Sequence, residues 1–305
     1  MSVSRRQFVA SSAAAGMAAA AGALPGAVSP GMAVARYKNP AAAPDALAEE
    51  ARRLTRAAIQ ALGGMTRFVS RGNTVWVKPN IGWNRAPEQA ACSNPDVVAA
   101  VVELCFQAGA AKVTVGDNPC VSPSESFRRS GIQAAALKAG ARCFYMDDRR
   151  FRRMAIGGQA LREWEVYAEA VEADRLINIY IPKQHSLTKA SLGMKNLMGL
   201  AGGARNRFHQ DIARTLADLA RFLHPQLVVV DAVRVLAANG PTGGNLSDVR
   251  RRDTVAAGVD QVAMDAFGAT LLGLRPEDVD SISEGHARGL GTMDYRSLAP
   301  AELEV

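Results

Sequence analysis

Short β-rich runs alternate with helical stretches along most of this chain, and that alternation constrains its fold more than any other feature. Thr74-Val75-Trp76-Val77 is stopped by Pro79, and the run at 112–115 ends in Gly116-Asp117-Asn118-Pro119. Further runs lie at 142–146, 175–181, 227–230 and 254–258, the fifth ending at Asp231. Between them, apolar residues recur at helical spacing over 45–62, 97–108, 124–139 (in two pieces), 187–200, 210–223 and 260–272. Asn94 followed by Pro95 is the start signal of the second of these helices. An irregular hairpin is expected around 155–166. Strands joined through helices of about 10–15 residues imply crossover connections, hence a parallel sheet covered on both faces. The expected fold class is α/β, a mostly parallel sheet in Rossmann-like layers. No internal repeat and no Pro-, Gly- or Ser-rich linker divides residues 36–305, which read as a single domain.

Residues 1–35 read as an address. Arg5-Arg6 precedes an Ala- and Gly-rich apolar stretch, and Ala33-Val34-Ala35 fits a signal-peptidase site. This is the pattern of a twin-arginine signal peptide, which predicts an exported, periplasmic protein with the Tat export machinery as its partner in transit. The stretch is too rich in Ala, Gly and Ser to be a stable membrane anchor, and no other segment approaches the length of about 20 apolar residues needed to span a bilayer.

The chain's 305 residues carry 36 Lys and Arg against 29 Asp and Glu, a net charge of +7 that includes Arg5 and Arg6. With no basic block interleaved with aromatics, no nucleic-acid partner is expected. A small anionic ligand accounts for the surplus. Cys92, Cys105, Cys120 and Cys143 form no C-x-x-C pair, so a ferredoxin-type iron–sulfur motif is absent. Cys105 and Cys143 read as buried small hydrophobes. Cys92 and Cys120 fall in loops and are the pair that an oxidising compartment would join.

In open parallel sheets, ligands sit beyond the carboxyl ends of the strands. The polar residues gather there: Lys78-Pro79-Asn80, Asp117-Asn118, Lys183 with His185, Asp231, and the loop from Asn239 to Asn245. Lys195 joins them as the single charge between Ala190 and Ala204. Lys195, His185, Lys183 and Lys78 are the expected catalytic set, because sites gather ionisable groups whose surroundings perturb them. Asn80, Asn196, Asn239, Thr242, Gly244 and His209 are the expected substrate contacts. Asp117 and Asp231 have the oxygen donors for a divalent cation, or orient the lysines. The plain alternatives stay open: solvated lysines, Asx turns at the two aspartates, and an ordinary turn at the glycine-rich loop. Asp265 reads as buried on backbone donors. Walker A, G-x-G-x-x-G, G-x-S-x-G and H-E-x-x-H motifs are all missing.

Eight pieces in order resemble the DUF362 family of uncharacterised proteins, from about residue 74 to 290. They are Val77-Lys78-Pro79-Asn80, Ser93-Asn94-Pro95-Asp96, Gln107-Ala108-Gly109-Ala110 with Val115-Gly116-Asp117, and Pro182-Lys183-Gln184-His185. The others are Met194-Lys195-Asn196, Val230-Asp231-Ala232, Asn239-Gly240-Pro241-Thr242-Gly243-Gly244 and Asp260-Gln261-Val262-Ala263-Met264-Asp265. A fainter likeness, through Pro182-Lys183-Gln184-His185, Lys195, Gly202-Gly203 and His209, is to the nickel-pincer lactate racemase family. It implies that Lys195 matches a cofactor-holding Lys and that His185 and His209 match downstream imidazoles. That family's earlier histidine has no counterpart here. Two functions fit this reading. One is an enzyme that moves a proton beside a carboxylate or phosphate, with isomerase or oxidoreductase-type chemistry. The other is a periplasmic protein that binds an anion, metal or peptide, or serves maturation, without catalysis.

Overall fold

The computed structural model describes residues 30–38 and 46–305. The paired arginines and the apolar stretch of the expected leader lie outside the described residues. In chain order the main elements are β1 (Met32–Arg36), α1 (Leu47–Ala61), β2 (Thr74–Lys78), α2 (Pro95–Gln107), β3 (Lys112–Val115), α3 (Pro123–Arg129), α4 (Ile132–Lys138) and β4 (Arg142–Cys143). There follow β5 (Phe151–Ala155), β6 (Glu163–Tyr167), α5 (Ala168–Glu172), β7 (Arg175–Tyr180), β8 (Lys183–His185), β9 (Lys189–Ser191) and α6 (Gly193–Asn196). The chain closes with α7 (Ile212–Leu223), β10 (Leu227–Leu236), β11 (Val249–Gly258), α8 (Gln261–Leu271), α9 (Asp280–Ala287) and β12 (Ala301–Glu304).

The central sheet runs β12-β1-β11-β10-β7-β2-β3-β4. The five strands from β10 to β4 are parallel, while β11 is antiparallel to both β10 and β1. Mixed α/β architecture with a largely parallel sheet is therefore what the alternating sequence specifies. Side chains point to opposite faces with period two, and each face has its own core. Trp76, Leu176, Tyr180 and Val230 face Leu219, Leu223, Val262 and Met264. Val75, Val77, Ile177, Ile179 and Val229 face Leu54, Ile59, Val98 and Val102.

The structure corrects several sequence expectations. The fifth strand does not stop at Asp231: β10 continues to Leu236 and folds back as the ten-residue antiparallel β11. Residues 187–192 are not helical, because β8 and β9 form a hairpin attached to β10, and helix begins only at Gly193. The expected boundary after Ala35 falls inside β1. Met32, Ala33, Val34 and Ala35 are at most 1% exposed between β11 and β12, so the folded unit includes them. Small residues at alternate positions suit a tight strand as well as a peptidase site. All four cysteines are free. Cys92 is buried and donates to the Trp83 carbonyl at 3.1 Å, so the expected Cys92–Cys120 bond is absent. Burial pushes the Cys105 and Cys143 thiols up to about 12, in keeping with their reading as small core residues. Among the described residues no helix is long and apolar enough to cross a membrane.

Candidate functional site

Strand parity decides which polar residues meet. On β2, Lys78 lies two residues beyond Trp76, and on β7, Asn178 lies between Leu176 and Tyr180, so both face the α7–α8 side. The single-turn helix α6 is pinned over this face from below and behind. Asp265 of α8 accepts from the Gly193 and Met194 amides at 2.6 and 3.0 Å, and Asn178 Nδ2 donates to the Gly193 carbonyl at 2.9 Å. Burial pushes the Asp265 carboxyl up to about 7, against the pull of those amides. Asp265 thus caps α6, as expected of a buried aspartate on backbone donors.

Asn196 of α6 is the hub of a buried network. Its Oδ1 accepts from Lys78 Nζ and Asn80 Nδ2, each at 2.9 Å. Its Nδ2 donates to Asn178 Oδ1 at 2.8 Å and the Ile179 carbonyl at 3.0 Å. Lys78, with its side chain 1% exposed, lies 2.8 Å from Asp117 Oδ1 and also donates to the Pro79 carbonyl at 2.8 Å. Desolvation pulls its pKa down and Asp117 opposes that pull. Three acceptors for three N–H bonds argue for the ammonium form. Asp117 is held in turn by the Ile81 and Asn118 amides at 2.6 and 3.0 Å. This cluster closes only because residue 199 is glycine: a Cβ there would lie 1.8 Å from Asp117 Oδ1 and 2.6 Å from Lys78 Cε.

Above the network lies a cavity of about 330 Å³, bordered by Lys183, His185, Lys195, Arg205 and His209 and by the apolar faces of Trp83, Leu187 and Met198. Lys183 Nζ donates to Asn80 Oδ1 and the Ala91 carbonyl, both at 2.9 Å, which leaves one N–H for a ligand. Arg205 is braced by the Met198 and Pro119 carbonyls at 3.2 and 2.6 Å. Lys195 Nζ is 3.1 Å from His209 Nε2. Among the described residues none of these three cations pairs with a carboxylate. Burial lowers both Lys183 and Lys195 to about 8; repulsion from Lys183 and Arg205 contributes at Lys195.

The two imidazoles stack, with centroids 6.0 Å apart and planes at 26°. The Leu187 amide donates to His185 Nδ1 at 3.1 Å, so the His185 proton sits on Nε2. His209 Nδ1 faces the Asn206 carbonyl at 3.1 Å, which leaves Nε2 as a lone pair toward Lys195. Burial, then repulsion from Lys195, His209 and Lys183, lowers His185 to about 4. Burial and Lys195 lower His209 as well. Both rings are neutral near pH 7.

Of the expected residues, Lys78, Asn80, Asp117, Lys183, His185, Lys195, Asn196, His209 and Thr242 border this cavity. Their roles divide differently from expectation. Lys78, Asn80, Asn196 and Asp117 use their polar atoms on one another and on Lys183, and so hold each other in place. Asn239 and Gly244 do not line it: Asn239 Nδ2 binds Asp248 at 2.9 Å, and the Gly244 carbonyl takes Gln89 Nε2 at 2.7 Å. Asp231 is misplaced for a different reason. It follows Val230, whose register partner is Tyr180, so it points to the opposite face of the sheet and takes the Asn94 amide at 2.5 Å. Asp117 and Asp231 therefore cannot share a divalent cation, and no group of three or more His, Cys, Asp or Glu able to hold a metal occurs among the described residues. Lys195, His185 and His209, the residues singled out by the racemase resemblance, all border the cavity. Arg205 escaped the sequence reading, its signal being its place directly after Gly202-Gly203-Ala204, one residue beyond the uncharged stretch around Lys195; Cys120, read there as a disulfide candidate, also borders the cavity.

A family model described as "Domain of unknown function (DUF362)" matches residues 75–270. The thylakoid-associated protein sll1697 of Synechocystis sp. (strain ATCC 27184 / PCC 6803 / Kazusa) is 28% identical over 270 residues, covering 82% of this chain and 80% of that protein. The lactate racemase apoprotein from Thermoanaerobacterium thermosaccharolyticum superposes with a TM-score of 0.48 at 13% identity. The match covers 78% of this chain and 56% of that structure.

Proposed function

The chain belongs to the DUF362 family, and because that description assigns no reaction, we propose a function from the pocket: an enzyme that binds a small carboxylate or phosphate anion and moves a proton beside it. One observation carries the reading. Lys183, Lys195 and Arg205 face a single cavity whose one lining carboxylate, Asp117, is paired with Lys78, and three cations gathered there without an ion-pair partner of their own call for an anion. Fixed cations also stabilise negative charge that develops on a substrate during proton abstraction. His185 and His209 supply neutral imidazoles at the same cavity. Part of the depression of His185 comes from Lys195 and Lys183, so a bound anion that offsets those charges raises the ring back toward the range useful for acid–base work. Capture of an anion alone needs the cations but not a stacked, tautomerically fixed histidine pair, which favours catalysis over binding.

Export belongs to the same proposal. Arg5-Arg6 and the apolar stretch behind them support a twin-arginine route to the periplasm, with any leader removed ahead of β1.

Two measurements test the pocket. Thermal shift with phosphate and with short-chain carboxylates is expected to raise Tm in the wild type and not in Lys183→Met/Lys195→Met. Solvent deuterium incorporation into short 2-substituted carboxylates, followed by NMR, is expected for the wild type and lost in His185→Ala, while His185→Ala still shows the anion-induced Tm shift. Full incorporation by His185→Ala together with Lys195→Ala removes the assigned site.

A further inference from the structure

We propose that Lys195 is a nucleophile, its Nζ condensing with the carbonyl of a small 2-oxo carboxylate to form an imine. This rests on the anion-pocket reading and adds to it the carbonyl group of the substrate. Three lysines reach the cavity, and their partners separate them. Lys78 Nζ is saturated by Asp117, Asn196 and the Pro79 carbonyl. Lys183 Nζ is tied to Asn80 and the Ala91 carbonyl. Among the described residues, the hydrogen-bond partners of Lys195 Nζ are only the Met198 sulfur at 3.6 Å and the His209 Nε2 lone pair at 3.1 Å. An amine whose nearest polar neighbour is a proton acceptor, in a desolvated site beside other cations, is an activated nucleophile.

Its surroundings agree. Burial is the main cause that brings Lys195 to about 8, Cys120 opposes it, and Lys183 and Arg205 add to it. About a tenth of the amine is then neutral at pH 7, against less than about one part in a thousand for an ordinary lysine. Lys183 and Arg205 sit at the same cavity to hold the substrate carboxylate and aim its carbonyl.

The step balances without any oxidant or reductant. The Nζ lone pair forms the C–N bond while the C=O π pair moves to oxygen. His209 Nε2 takes a proton from the nitrogen and passes it to that oxygen, giving a carbinolamine hydroxyl steadied by the His185 Nε2–H; the nitrogen's second proton follows by the same relay onto the hydroxyl as the nitrogen lone pair closes the C=N bond. Water leaves and the C=N bond remains. An electron-withdrawing imine acidifies the neighbouring carbon, which gives the proposed proton transfer its driving force.

The full chain is incubated with pyruvate, or with glyoxylate, plus sodium cyanoborohydride, and modified lysines are mapped by peptide mass spectrometry. A thermal shift with phosphate runs in parallel. Lys195 is expected to carry the reduced adduct at least about tenfold over exposed Lys38, Lys138 and Lys189 at pH 7, since about a tenth of it is neutral there. Labelling is expected to rise to half-maximum near pH 8 and to vanish from the cavity in Lys195→Arg. The exposed lysines of the wild-type protein serve as internal controls whether or not the variant folds. A phosphate-induced Tm shift without preferential labelling of Lys195 overturns the imine and leaves the anion pocket standing. Absence of both the shift and the adduct takes down the pocket reading as well.

Discussion

Lys78 and Asp117 offer the sharpest test of the division between groups that hold the site and groups that use it. Lys78→Met keeps the unbranched stem in its buried channel and removes the ammonium. Asp117, 2% exposed, is then left with only the Ile81 and Asn118 amides. Asn196 Oδ1 and the Pro79 carbonyl also each lose a donor. Stranding one member of a buried ion pair costs about 3–5 kcal/mol, and the orphaned acceptors do not reduce it. For a chain of this size that is a drop in Tm on the order of 10 °C. Asp117→Asn strands the other member and is expected to destabilise in the same direction. The double variant removes both charges, so its loss is smaller than the sum of the singles by about 1–3 kcal/mol. Urea denaturation followed by circular dichroism measures all four proteins, with unchanged m-values as the check that unfolding remains comparable. Additive losses, or a Lys78→Met cost below about 1 kcal/mol, refute the pairing as the element that organises the site. A Lys78→Met protein of native stability that no longer responds to anions refutes the claim that Lys78 holds rather than binds.

Gly199→Ala places a methyl 1.8 Å from Asp117 Oδ1, so it is expected to cost about 1–3 kcal/mol from overpacking alone, more if the ion pair opens; native stability in urea contradicts the close approach. Burial raises the Asp231 carboxyl from 3.8 to about 7. A raised acid binds its proton more tightly in the fold, so the stability it contributes is full below pH 3.8 and is lost as pH rises through 7. Asp231→Asn is therefore expected to flatten that limb of the stability–pH curve, and an unchanged slope between pH 4 and 7 counts against it. A chain that starts at Arg36 lacks four residues buried between β11 and β12 and is expected to be less stable than one that starts at Pro30, as read by Tm. Mass spectrometry of an exported form is expected to place its N-terminus ahead of Met32.

The alternation of strand and helix specified by itself the layered α/β class, the cap at Asn94 whose side chain accepts from the Asp96 amide at 2.9 Å, and the gathering of Lys183, His185, Lys195 and His209 near one rim, because period and turn chemistry are local properties written in neighbouring residues. It could not assign those residues their roles, since a lysine's environment is set by partners more than a hundred positions away: Lys78 meets Asn196 and Lys183 meets Asn80 only across the finished sheet. Two segments show the same limit. Asp231 looked like the end of a strand because its polarity interrupts an apolar run, yet pairing with β11 carries β10 onward and one step of parity turns the side chain to the far face. Ala33-Val34-Ala35 suits a peptidase site by its small residues, and the same residues pair with β11 and β12 as a strand. Local pattern chose the elements; long-range pairing and side-chain parity chose which charges were neutralised and which were left facing the cavity.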